Sequence, residues 1–208
     1  MGFFRELVHL VLGHRLMPEL GDRFERALRL AAQLHRRQNR KGTTVPYVAH
    51  LLGVCSLVLE HGGGENEAIA ALLHDAVEDQ GGRPTFESIR EQLGEEVAAM
   101  VAACTDAWTS PKEPWKQRKL DYLQRLPEES DGALLVSAAD KLYNLRSIVT
   151  AHRAHGDLVW GRFAQGRDEQ LWYFQSVAAT LRSTGRVPLA LLDDLDRELA
   201  TLETLTAR

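Results

Sequence analysis

The run Ala68-Ile69-Ala70-Ala71-Leu72-Leu73 is apolar in every direction around a helix, and it continues directly into His74-Asp75, with Glu78 and Asp79 one turn further on. A helix that is apolar all round must be enclosed by other elements. A chain that drives charged side chains in behind it must also supply partners for them, because an unpaired buried charge is prohibitively costly. The other segments capable of enclosing it have helical periodicity, and no strand-like alternation extends beyond a few residues. The expected fold class is therefore all-α.

The helices are delimited by their stop and start signals. Asp22 can cap a helix with the stripe Phe24, Ala27, Leu28, Ala31 and His35. A basic turn from His35 to Gly42 and then Pro46-Tyr47 lead into a second helix, about Val48 to Glu60, which Gly62-Gly63-Gly64 ends. Asn66 opens the enclosed helix, Pro84-Thr85 a shorter one ending near Gly94, and Glu95 to Thr105 another. The segment Trp108 to Trp115, with Pro111 and Pro114, reads as irregular; helices follow at about Lys116 to Arg125, Leu134 to Ala151, Asp168 to Ser183 and Leu189 to Leu205. Loops are short and nothing marks a boundary, so residues 1–208 read as one domain, with a core of about 22–183 and a C-terminal helix packed on it. Met1 to Leu16 reads as an amphipathic helix docked on the domain or on a partner subunit; it is interrupted by Arg5, Glu6 and His9 and too short to span a bilayer.

Three places put polar chemistry inside this apolar framework. On a continuous helix Asp75, Glu78 and Asp79 stand at i, i+3 and i+4, so their carboxylates crowd one face, a repulsion that a divalent cation relieves. Between Leu134 and Val149 the residues Ser137, Asp140, Asn144 and Ser147 are spaced 3, 4 and 3, a narrow polar stripe on a largely apolar helix. Such a stripe fits a helix lining a small polar cavity, and Asp140 by itself fits equally well a salt bridge to a buried cation. His50, alone, reads as a core histidine bonded to a backbone carbonyl.

The order of the pieces is more informative than any one of them. A lone histidine, a His-Asp pair 24 residues later and an aspartate on a distant helix form the H…HD…D pattern, and the chain resembles the HD phosphohydrolase superfamily. Pro46-Tyr47-Val48-Ala49-His50, Ala71 to Asp79 and Ala139 to Arg146 resemble the corresponding segments of hydrolases of the alarmone ppGpp, with Leu51 where those enzymes often have proline. The resemblance spans roughly Ala27 to Leu181. It implies a single compact HD-domain helical bundle, with His50, His74, Asp75 and Asp140 as ligands of one divalent metal per chain, in that family usually Mn²⁺. It implies that Glu78 and Asp79 position and activate the attacking water. It also implies substrate contacts from Arg40, by stacking on the base, from Lys41, by reaching phosphate, and from the aromatic Tyr173. Tyr143 and Asn144, on the helix of Asp140, suit a ribose or phosphate, and Lys112 belongs to a second basic cluster with Lys116, Arg118 and Lys119. Ala107-Trp108 replaces a second acidic residue that some relatives keep.

The formal net charge of −4 argues against a nucleic-acid-coating protein, so an anionic substrate must meet local basic clusters. Cys55 and Cys104, the only cysteines, read as reduced core residues of a cytoplasmic protein. The implied activity is removal of the 3′-pyrophosphate from ppGpp or pppGpp, giving GDP or GTP and pyrophosphate. The expected partner is that small nucleotide, without nucleic acid or membrane, with a homo-oligomer left open. With nothing after Arg208 to hold a synthetase or regulatory domain, the chain reads as a stand-alone hydrolase. Two other readings fit the same residues: a phosphohydrolase acting on another nucleotide, such as NADPH or a nucleoside phosphate, and a non-catalytic nucleotide-binding sensor.

Overall fold

A computed structural model describes residues 19–108 and 111–207. The predicted Met1 to Leu16 helix lies outside the described residues. Within them the chain is helical: α1 (Asp22–Leu34), α2 (Val48–Glu60), α3 (Glu65–Leu73), α4 (Ala76–Asp79), α5 (Arg83–Leu93), α6 (Glu95–Cys104), α7 (Trp115–Arg125), α8 (Asp131–His155), α9 (Gly166–Thr184) and α10 (Leu189–Thr206). Short 3₁₀ turns at Leu126–Glu128 and Gly156–Arg162 connect α7 to α8 and α8 to α9. The one β feature among these residues is an isolated antiparallel bridge between Asn39 and Pro46. It closes the basic turn through Arg40 N–H to Val45 O (2.8 Å) and Tyr47 N–H to Gln38 O (2.9 Å).

The apolar run Ala68–Leu73 is fully buried, and α3 achieves this by contacting α1, α2, α6 and α8 at once. Its start is set by Gly64, whose N–H donates to Glu67 Oε2 at 2.8 Å and so satisfies one of the donors a helix start leaves free. The helix containing Asp140 begins three residues before the predicted Leu134. Ser130 accepts a hydrogen bond from Ala133 N–H at 3.2 Å, which caps the chain at Asp131 despite the turn-like Asp-Gly pair.

α10 is more than a cover on a core that ends near residue 183. Val187, Leu191, Leu192, Leu195, Leu199 and Leu202 belong to the same buried cluster as α3 and α8, and α10 lies along α8. Arg146 on α8 is tied to Asp194 on α10 at 2.8 Å. No helix of the described residues is long and apolar enough to cross a membrane.

α2 crosses α8 where Gly53 meets Tyr143. A Cβ at position 53 would fall 1.9 Å from the Tyr143 ring, so the contact requires a residue without one. The same ring lies 5.1 Å from that of His50, and its hydroxyl donates to Ala49 O at 3.2 Å. Gly53→Ala should therefore destabilise the protein by about 1–3 kcal/mol through overpacking, despite a gain in helix propensity of up to about 1 kcal/mol. Thermal denaturation by circular dichroism measures this, and an unchanged or higher midpoint would contradict the close crossing.

Candidate active site

His50 comes from the first turn of α2, His74 and Asp75 from the end of α3, and Asp140 from the middle of α8. Their reactive atoms converge. The two Nε2 atoms of His50 and His74 are 3.2 Å apart. Asp75 Oδ2 lies 3.4 Å from His50 Nε2 and 3.1 Å from His74 Nε2, and Asp140 Oδ1 lies 3.3 and 3.5 Å from the same two nitrogens. His74 Nδ1 is 2.8 Å from Ala71 O, an acceptor, so Nδ1 donates there and Nε2 is the ring nitrogen that faces the cluster. Adjacent ligands around an octahedral ion with bonds of about 2.1 Å are about 3 Å apart. His50, His74 and Asp140 form a buried group whose ligand atoms lie within 4.8 Å of one another. These three fit a divalent ion in spacing, and Asp75, facing both imidazoles, adds a second carboxylate of suitable chemistry.

Burial works against charge on His74, but the facing Asp75 and Asp140 outweigh it and hold its pKa well above the ordinary value. Burial likewise opposes ionisation of Asp140, and Lys141 with the two histidines overcomes it, keeping the carboxyl well below the usual range. Asp140 is thus both the neighbour of a buried cation, Lys141, and a wall of the histidine cluster. It also accepts from Asn144 Nδ2 at 2.6 Å, and Asn144 in turn accepts from Arg40 Nη2 at 2.5 Å. Tyr47 donates from its hydroxyl to Asp75 Oδ2 at 2.5 Å, and His35 stacks on the Tyr47 ring at 5.1 Å.

The helix carrying Asp75, Glu78 and Asp79 is interrupted rather than continuous, but the three stay on one turn, closed by Asp79 N–H to Asp75 O at 3.0 Å. The helix stops at Leu73, His74-Asp75 makes a turn, and Ala76–Asp79 resumes as a single turn. Each carboxylate has its own partners. Asp75 faces the histidines; Asp79 Oδ2 accepts from Gln38 Nε2 at 2.8 Å; Glu78 Oε1 accepts from Lys112 Nζ at 2.6 Å. Arg118 Nη1 lies 3.8 Å from Glu78 Oε1 and binds Asp106, which Lys119 also binds. Burial first, and then the Asp106 carboxylate, push the Glu78 carboxyl up to about 7 against the pull of Lys112. Burial and Asp75 raise Asp79 in the same direction.

These groups open onto a cleft of about 1220 Å³. Arg40, Lys41, Tyr143, Asn144 and Tyr173 line it with Asp75, Glu78, Asp79 and Asp140. Lys112, which is exposed, reaches Glu78 without lining the cleft itself. Arg40 sits 5.7 Å over the Tyr47 ring, and Tyr173 is buried, with Lys119 4.7 Å over its ring. The sequence marks Arg118 and Lys119 only as members of a basic cluster with Lys112 and Lys116, and assigns no role to Asp106, His35 or Gln38. A signal existed for Asp106, a lone acid after an apolar helix with two cations at Arg118-Lys119, but their meeting depends on the path of the Trp108 to Trp115 loop.

Residues 27–166 match the family model described as HD domain. A guanosine-3′,5′-bis(diphosphate) 3′-pyrophosphohydrolase MESH1 of Xenopus tropicalis is 42% identical over 125 residues, 59% of this chain and 67% of the relative. The Mus musculus protein of the same name is 36% identical over 156 residues, 68% of this chain and 84% of the relative. A solved structure titled as a metazoan ortholog of SpoT that hydrolyzes ppGpp superposes with a TM-score of 0.72 at 29% identity, covering 86% of this chain and 95% of that one.

The convergence of four donors predicts about one divalent ion per purified chain, lost in both His74→Ala and Asp140→Ala, because the ligands bind as a set. Metal analysis by mass spectrometry reads this directly. Undiminished metal in both variants would remove the site from these residues.

Proposed function

The chain belongs to the HD-domain family and, within it, to the guanosine-3′,5′-bis(diphosphate) 3′-pyrophosphohydrolases, and from that premise we propose how its cleft carries out the reaction. The protein is a hydrolase that converts ppGpp and water to GDP and pyrophosphate, or pppGpp to GTP and pyrophosphate. The observation that best supports the assigned residues is a carboxylate, Glu78, poised near neutrality one turn beyond the cluster of His50, His74, Asp75 and Asp140.

His50, His74, Asp75 and Asp140 hold the divalent metal that the family requires. Mn²⁺ is the reading we favour, because a mixed nitrogen and oxygen set with room for water suits an octahedral ion better than a tetrahedral one. When bound, such an ion lowers the pKa of a water molecule and offsets phosphate charge.

The chain's own side chains supply the rest. Glu78 accepts the proton of the attacking water, a task suited to a base whose pKa lies near the working pH. Lys112 and Arg118 keep its carboxylate oriented, and Gln38 does the same for Asp79. Asn144 links Asp140 to Arg40, so the ligand helix and the basic turn are set in one geometry. Arg40, flat and beside Tyr47, suits stacking on the base, and Lys41, exposed at the rim, suits phosphate. Tyr143, Asn144, Tyr173 and Lys112 complete the substrate contacts. The bond broken joins the ribose 3′-oxygen to phosphorus; water adds at phosphorus, and the ribose leaves with a proton on that oxygen. Two free cysteines agree with a cytoplasmic setting, and the negative net charge agrees with a small anionic substrate met by local cations rather than a nucleic acid.

Released pyrophosphate, scored against released phosphate across ppGpp, NADPH and nucleoside phosphates, tests the reaction; phosphate alone, or inertness toward ppGpp, would refute it. Glu78→Gln should keep fold and metal while kcat falls about a hundredfold or more. Wild-type turnover in that variant would transfer the role of base to another group.

The pH profile gives an independent check. Activity needs Glu78 unprotonated, so kcat/KM should fall as pH drops through about 7. Asp106→Asn removes a neighbouring negative charge and releases Lys119 and Arg118, both of which favour ionised Glu78. The acid limb should then move to lower pH, and an unmoved limb would dissociate it from Glu78.

A further inference from the structure

Hydrolysis at the 3′ position accounts for one end of the nucleotide and one end of the cleft. At about 1220 Å³ the cleft exceeds the roughly 300–1,000 Å³ usual for small-ligand sites, and it continues past the ligand cluster along α8 to the 3₁₀ segment Gly156–Arg162. The cations on its wall are of two kinds. Lys119, Lys141 and Arg146 are neutralised by Asp106, Asp140 and Asp194. Arg40, Lys41 and Arg162 have no carboxylate within 4.0 Å among the described residues, and Arg40 bonds only the neutral Asn144. The uncompensated positive charge of the cleft is thus concentrated on one wall. Glu60, the carboxylate that lines the cleft away from the ligand cluster, is exposed and accepts instead from Ser56 Oγ at 2.6 Å.

Arg162 is held there rather than dangling. Val159 and Trp160, in the same 3₁₀ segment, are buried in the core, and Phe163 lies 6.2 Å from the Trp160 ring. The Arg162 side chain runs across Gly42 in the basic turn. A Cβ at position 42 would come within 2.7 Å of Arg162 Cγ, and Gly42 has φ +68°, a conformation that favours glycine. The bare backbone of Gly42 therefore forms a cradle that brings a cation of the α8–α9 connection beside Lys41.

We propose that Arg162 and Lys41 form a second anion site, one that takes the 5′-phosphates of the nucleotide while its 3′-pyrophosphate lies at the histidine-aspartate cluster. The inference rests on the guanosine polyphosphate reading and deepens it. A nucleotide phosphorylated on both the 3′ and 5′ oxygens carries two anionic groups on opposite sides of the ribose. With the first placed beside Glu78, the second needs a separate source of positive charge. A guanidinium free of an internal carboxylate supplies this at no cost in broken pairs and can engage phosphate oxygens in bidentate fashion. The site would make the enzyme select for nucleotides phosphorylated at both ends.

The test compares the full-length, metal-loaded wild type with Arg162→Ala and Gly42→Ala. Isothermal titration with GDP, which carries the 5′-diphosphate but no scissile group, should show binding weakened about tenfold in Arg162→Ala, with a smaller difference at high salt. Guanosine, which has the base and no phosphate, should bind both proteins alike. In kinetics KM for ppGpp should rise by a similar factor with little change in kcat, and the preference for ppGpp over guanosine 3′-diphosphate should fall about tenfold. Gly42→Ala, which displaces the Arg162 side chain, should act in the same direction. Equal GDP affinity in wild type and Arg162→Ala would overturn the proposal, as would equal weakening of GDP and guanosine, which would assign Arg162 to the base. If the wild type fails to hydrolyse ppGpp, the functional reading falls, but GDP titration still judges the anion site.

Discussion

At the point where α2, α3 and α8 meet, the two imidazole Nε2 atoms of His50 and His74 lie 3.2 Å apart, and each lies 3.1–3.5 Å from a carboxylate oxygen of Asp75 and of Asp140. Left to themselves these groups would oppose the fold, since like charges repel and each is costly to desolvate. Packing of α3 on every side by apolar neighbours is what makes the convergence unavoidable: Ala68 to Leu73 cannot move outward without exposing the core. His74 and Asp75, the next two residues, are delivered to the centre of the molecule by that packing. The helix is interrupted there and resumes as a single turn, so that Asp75 faces the histidines while Asp79, one turn on, still feels its charge and Glu78 takes Lys112 as partner.

Much of the remaining polar structure serves to keep these charges from competing. Asp140 has Lys141 and Asn144, Asp75 has Tyr47, Asp79 has Gln38, and Asp106 has Arg118 and Lys119. Glu78 is treated differently. Burial and the nearby Asp106 make its ionised form less favourable, and Lys112 only partly offsets this. A carboxylate that is easily protonated is a poor structural ion and a good base, and in this respect it differs from the acids that surround it. The same partition applies to the cations, most of which answer to an internal carboxylate, while Arg40, Lys41 and Arg162 remain available to a ligand.

How legible this was in the sequence differs from element to element. Helical class and element order could be read from periodicity and from stops such as Gly62-Gly63-Gly64, because burial of one stripe and the cost of glycine are local matters. The grouping of His50, His74, Asp75 and Asp140 was legible through the order of motifs and the apolar setting of each residue. The early start of α8 was missed because the cap at Ser130 outweighed the turn character of Asp131-Gly132. The contribution of α10 to the core was underestimated because its apolar residues read as one more amphipathic stripe, with nothing to indicate how deeply they sit.

The sequence by itself determined which residues must be inside and which charged groups would need a common counter-ion, since burial and like-charge repulsion follow from residue type and spacing. Only the tertiary structure decided which partner each charge received. Arg162 meets Gly42, Arg40 meets Asn144 and Arg118 meets both Glu78 and Asp106 across separations of 120, 104, 40 and 12 positions along the chain. Such meetings depend on the crossing of helices and the path of loops. A short-range pattern carries no information about either, because the energy that selects them belongs to the packed core as a whole.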